Sequence, residues 1–109
     1  MELNEYQQEA KKTAKRPATP EMALLNWSLG LGGEVGEFQN AVKKWWFHEH
    51  GLVSQDMAKE LGDILWYLAL AADALGFTLE EIAKGNLEKL AKRYPAGFDP
   101  QKSRGRNER

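Results

Sequence analysis

The sequence predicts an all-α protein, a bundle of four to five helices. Strand-type alternation is nearly absent, and apolar residues recur at helical spacing through most of the chain. Proline, glycine and Ser/Thr signals also fall where those periodic runs should begin and end. The first helix is expected over about Leu3 to Lys15, with Leu3, Tyr6, Ala10 and Ala14 on one side and Pro17 and Pro20 beyond its end. Thr19-Pro20-Glu21 opens the second, because threonine can cap, proline suits the first helical position and glutamate favours the positive end of the helix dipole. This helix should reach about Phe47. Gly51 and Ser54 mark the following turn and cap, and the third helix runs from about Gln55 to Leu75, closed by Gly76. Thr78-Leu79-Glu80-Glu81 forms a capping box for a fourth helix that ends before Pro95. Residues 1–98 read as a single domain and residues 99–109 as a basic, polar tail.

A chain of 109 residues and 12.3 kDa has room for one domain. With 42% hydrophobic and 28% charged residues it has neither a disordered nor a membrane composition. Its longest uncharged run, Met22 to Gly33, is too short to span a bilayer, and no signal peptide is visible, so a soluble, cytoplasmic protein is expected, without a membrane partner. The absence of cysteine excludes disulfides, thiol nucleophiles and cysteine-ligated metals, which leaves oxygen or histidine for any metal. Net charge is −1, but the last nine residues hold four Lys/Arg and one Glu, so residues 1–100 carry 11 basic against 15 acidic groups. The tail reads as a solvated end, and no nucleic-acid partner is expected.

Helical spacing arranges the polar residues in stripes. In the third helix Met57, Leu61, Ile64, Leu65, Leu68, Ala72 and Leu75 form the apolar side, flanked by Glu60, Asp63 and Tyr67. In the second, Leu24, Leu31, Val35, Val42 and Trp46 mark the core stripe, while Trp27, Gly30, Glu34, Glu37, Ala41 and Trp45 line up beside it. The fourth helix has Ala83, Leu87, Leu90 and Tyr94 on its core side and a basic stripe of Asn86, Lys89 and Arg93 next to it. Glu34, Glu37 and Asp63 are embedded among apolar and glycine residues, where charge is costly unless it is paired or metal-bound. Four converging carboxylates repel one another, and a hard divalent cation, Mg²⁺ or Mn²⁺, would relieve them. If the basic stripe faces the same cavity, an anion with phosphate geometry is the natural guest. Glycines 30, 32, 33 and 36 each weaken the second helix by up to ~1 kcal/mol. Close helix approach, or room for a ligand, would account for them. His48 and His50, two residues apart at a helix end, are not expected to bind metal. Trp66, roughly opposite the acidic stripe, and the surplus of large apolar side chains point to at least a homodimer.

Gly33-Glu34-Val35-Gly36-Glu37, followed after 22 residues by Glu60-Leu61-Gly62-Asp63, resembles the ExxE and ExxD signature of the MazG-like, all-α nucleoside triphosphate pyrophosphohydrolases. Asn86 to Leu90 and Arg93-Tyr94-Pro95-Ala96-Gly97-Phe98 resemble the same family's closing segment, and the similarity spans about Leu24 to Phe98. The resemblance implies Mg²⁺-dependent hydrolysis of nucleoside triphosphates, often deoxy or non-standard, to monophosphate and pyrophosphate. It further implies metal ligation by Glu34, Glu37, Glu60 and Asp63, phosphate binding by Asn86, Lys89, Arg93 and Tyr94, and a dimer or tetramer with sites near subunit interfaces. A single such unit corresponds to the short, stand-alone branch. Aromatic stacking on the base is assigned to Trp45, with Tyr67 near the sugar and Trp27 as a weaker candidate. Two other readings stay open: a phosphoribosyl-ATP pyrophosphatase, and a non-enzymatic helical module that binds nucleotides.

Overall fold

The computed structural model describes residues 1–47 and 54–105. Five helices follow one another: α1 (Leu3–Lys12), α2 (Pro20–Phe47), α3 (Ser54–Ala74), α4 (Leu79–Arg93) and the short α5 (Pro100–Gly105). Among the described residues there is no strand, and no single helix is long and apolar enough to cross a membrane. His48, His50 and Gly51 lie outside the described residues.

The expected helix boundaries have their expected causes. Thr19 Oγ1 accepts from the Met22 amide at 3.1 Å and so caps α2. At Thr78 the hydroxyl accepts from the Glu81 amide while the Glu81 carboxylate accepts from the Thr78 amide, a reciprocal box that starts α4. Gly76, at φ +85°, lets the Phe77 amide reach the Ala72 carbonyl at 2.9 Å and closes α3 in a Schellman motif. α1 is shorter than expected and ends at Thr13. That hydroxyl donates to the Ala10 carbonyl and accepts from Trp66 Nε1 at 2.8 Å. α5 forms in the segment expected to be a featureless tail, where Asp99 accepts from the Gln101 and Ser103 amides.

α2 and α3 pack antiparallel. Trp27 meets Trp66 and Tyr67, Gly30 lies under Tyr67, and Glu34 and Glu37 face Asp63 and Glu60. α1 crosses α3, and their shared core is small: Ala10, Ala69, Ala72 and Leu79, with Tyr6 and Trp66 packed against it. Gln7 is buried at the junction. Its amide nitrogen donates to the carbonyls of Ala69 (3.0 Å) and Phe77 (3.1 Å), and its carbonyl accepts from the Leu79 amide (3.1 Å). One side chain thus satisfies backbone groups on both sides of the α3–α4 turn, and Asn4 does the same for Glu80. α4 leaves α3 at 96° as a result.

Much apolar surface stays uncovered in the single chain. Val35 and Trp46, expected in the core stripe of α2, are exposed, as are Leu61, Leu68 and Leu75 of α3 and Leu87 of α4. Among the described residues α2 packs chiefly on α3, while α1 packs on α3 and α4. Trp66 departs from expectation the other way, because α1 covers it: it is half-buried, bonded to Thr13 and edge-on to Trp27 at 5.6 Å.

Candidate metal centre

The i, i+3 spacing stacks Glu34 over Glu37 on α2, and the antiparallel register brings α3 past them with Glu60 and Asp63. Glu34, Glu37 and Glu60 each present a carboxylate oxygen within 4.8 Å of the others. The Oε2 atoms of Glu34 and Glu60 are buried with no hydrogen-bond partner. Burial, then the shared proton and negative charge of Glu37, then the charge of Asp63 and contact with Glu60, push the Glu34 carboxyl from 4.5 up to about 7. Two orphaned carboxylate oxygens in an all-oxygen, strongly repelling set are what a hard divalent cation would satisfy, so these residues fit such an ion.

Beside this cluster is a cavity of about 430 Å³ lined by Tyr6, Glu34, Gly62, Asp63, Trp66 and Tyr67. Asp63 borders the cluster without belonging to the 4.8 Å trio. The Tyr67 ring lies flat on the α2 backbone at Gly30, edge-on to Trp66 at 4.9 Å and tilted against Trp27 at 6.2 Å. Of the four α2 glycines only Gly30 makes this close approach; Gly32, Gly33 and Gly36 face open space.

Trp27 is buried behind Tyr67 and does not line the acidic cavity; it borders a separate cavity of about 360 Å³ with Lys15, Arg16, Thr19 and Leu70. Trp45 is half-buried against Trp46 at a centroid distance of 5.6 Å, about 16 Å along α2 from Glu34. The α4 stripe also stays away from the cavity of its own chain. Asn86 is exposed, Lys89 half-buried, and Arg93 buried with its guanidinium carbon 5.7 Å from the Tyr94 ring centre, while Tyr94 itself packs on Phe98. Measured from the α3–α4 turn, Asp63 lies ~16 Å back along α3 and Arg93 ~21 Å out along α4, with the helices at 96°. Asn86, Lys89, Arg93 and Tyr94 therefore do not meet the carboxylates within one chain.

Tyr6 is the site-lining residue that the sequence did not reveal. Its placement on the apolar side of α1 marked it as core, and nothing in local spacing linked it to Asp63, 57 residues away. Burial and the Asp63 charge raise its phenol above the ordinary value of 10.0.

A fold that is all-helical among the described residues, with an acidic cluster at the seam of two antiparallel helices, defines a class of α proteins with a candidate metal centre, and comparison narrows it. The model of the MazG nucleotide pyrophosphohydrolase domain matches residues 24–98, so the chain belongs to this family of pyrophosphohydrolases, which typically bind a divalent metal. "Gene 37 protein" of Mycobacterium phage L5 is 35% identical over 105 residues, covering 89% of this chain and 92% of the relative. "Uncharacterized protein YvdC" of Bacillus subtilis (strain 168) is 40% identical over 40 residues, 37% of this chain and 38% of the relative. No solved structure matches the chain.

Proposed function

We propose that this protein is a Mg²⁺-dependent pyrophosphohydrolase of nucleoside or deoxynucleoside triphosphates, non-canonical ones included, releasing the monophosphate and pyrophosphate. Mn²⁺ would substitute for Mg²⁺. The observation that carries this reading is the convergence of Glu34, Glu37 and Glu60 with two buried, unpartnered carboxylate oxygens, beside Asp63.

When bound, the cation supplies charge neutralisation for the triphosphate and lowers the pKa of water. Glu34, Glu37, Glu60 and Asp63 hold it. No side-chain nucleophile is required, because positioning and electrostatics carry most of phosphoryl-transfer catalysis. Tyr67, pinned on Gly30 between two tryptophans, forms a rigid aromatic wall for the nucleoside end.

Asn86, Lys89, Arg93, Tyr94 and Trp45 would act on the substrate from a second copy of the chain. The exposed apolar side chains of α2, α3 and α4 favour such an assembly, a homodimer or tetramer. A radius of gyration of 16.8 Å, against ~13 Å for a compact chain of this length, also fits a protomer completed by its neighbour.

A pyrophosphate-release screen over canonical and modified nucleoside triphosphates tests the activity. Release is expected with Mg²⁺ and none with EDTA; no release from any nucleotide would overturn the reading. Light scattering that returns 12.3 kDa at micromolar concentration would overturn the assembly.

A further inference from the structure

The acidic cavity changes character along α3. Glu34, which clusters with Glu37 and Glu60 beside the cavity, and Asp63 mark its carboxylate end, and Trp66 and Tyr67, one turn on from Asp63, form the aromatic end. α1 contributes the remaining wall through Tyr6, which lies beside Asp63. The Tyr6 ring packs on the core of Ala10, Ala69, Ala72 and Leu79, so it is held in place. Its hydroxyl makes no hydrogen bond to any described residue, although a phenol can both donate and accept one. A fixed ring thus presents a free hydroxyl between a charged end and an aromatic end.

A nucleoside triphosphate has the same order of groups. On the proposed function, on which this inference rests, the triphosphate occupies the carboxylate end and the nucleoside extends toward the aromatic end, which leaves the pentose between them. We propose that Tyr6 is a specificity-determining residue whose phenolic hydroxyl hydrogen-bonds a hydroxyl of the bound pentose. α1 then sets the preference of the site for one sugar over another. A site that hydrogen-bonds a substrate hydroxyl discriminates against the analogue lacking it, because its own polar group is left unpaired.

The test replaces one atom on each side. Tyr6→Phe keeps the ring and its core packing and removes only the hydroxyl. Binding of α,β-imido nucleoside triphosphates, in ribo, 2′-deoxy and 2′,3′-dideoxy forms of the four bases, is followed with Mg²⁺ by tryptophan fluorescence, since Trp66 lines the cavity. The expected result is a loss of affinity of about fivefold, the size of one net hydrogen bond, for the sugars that carry the contacted hydroxyl. Binding of the 2′,3′-dideoxy form should be unchanged by the substitution. An equal loss over all three sugars would assign Tyr6 to packing and overturn the proposal, as would no loss for any of them. Failure of the unsubstituted protein to bind any of these nucleotides would instead overturn the nucleotide reading, a result independent of position 6.

Discussion

Replacing Gly30 by alanine would build a Cβ 2.5 Å from Tyr67 Cζ and 2.7 Å from Cδ1, where carbon atoms normally sit ~3.5–4.0 Å apart. The ring has to retreat by about an ångström, and Trp27 and Trp66 stand against it on two sides. Helix propensity alone would favour alanine by ~1 kcal/mol. Overpacking costs ~1–3 kcal/mol, and ring atoms hemmed in by two indoles belong in the upper half of that range. The net expectation is a loss of ~1–2 kcal/mol and a fall in Tm of roughly 5–10 °C. Gly85→Ala is the control, because a Cβ there meets nothing within 4 Å and only the propensity gain remains. Urea and thermal unfolding, in EDTA at one fixed protein concentration, measure both. The clash also has a partner-specific signature: in a Tyr67→Ala background, Gly30→Ala should become stabilising. If Gly30→Ala is as stable as Gly85→Ala, the account of Tyr67 as a ring pinned on α2 is wrong.

Glu37→Gln and Asp63→Asn should each lower Mg²⁺-dependent turnover by ~100-fold or more, since outer-sphere partners of metals alone are worth 10- to 100-fold, while circular dichroism stays unchanged; near-normal turnover at saturating Mg²⁺ would remove either residue from the ligand set. The raised Glu34 carboxyl makes stability depend on pH. Between about 4.5 and 7 the folded chain binds more protons than the unfolded chain, so stability falls as pH rises through this window and the loss is complete above it. In EDTA, the Tm of the unsubstituted protein should therefore decline relative to Glu34→Gln from pH 4.5 to 7, and Mg²⁺ should recover it at higher pH; a difference that is flat with pH would contradict this. Gln7→Ala removes the side-chain partner of the Phe77 carbonyl and the Leu79 amide and the bond to the Ala69 carbonyl, which stays in the α3 ladder, and should cost at least ~2 kcal/mol in urea unfolding. A loss under 0.5 kcal/mol, roughly the scale of a surface substitution, would deny Gln7 its role at the junction.

The features legible in the sequence are those that act over one or two helical turns. Caps at Thr19 and Thr78 and the stop at Gly76 are settled by side chains and dihedrals within a few residues, so they could be placed before any tertiary information. The i, i+3 pairs Glu34/Glu37 and Glu60/Asp63 share a stripe for the same reason, whatever packs against them. Apolar neighbours in sequence did not tell how far each carboxylate is covered: Glu34 and Glu60 are half-buried, while Glu37 and Asp63, expected in surroundings costly for charge, are exposed.

Tertiary structure decided what meets across long separations. The antiparallel register of α2 on α3 made one cluster of Glu34, Glu37 and Glu60, and set Gly30 beneath Tyr67. Trp66, expected on the side away from the acidic stripe, instead lines the acidic cavity one turn on from Asp63, where α1 covers it and bonds it to Thr13. Gln7 and Tyr6 looked like ordinary α1 residues; their partners lie 62 to 72 and 57 positions along the chain. The direction of α4, which carries Asn86, Lys89 and Arg93 away from their own chain's carboxylates, depends on the Gly76 turn and the Gln7 bonds together. Periodicity gives each residue an angle about its own helix axis, and only packing gives that axis a position relative to the others.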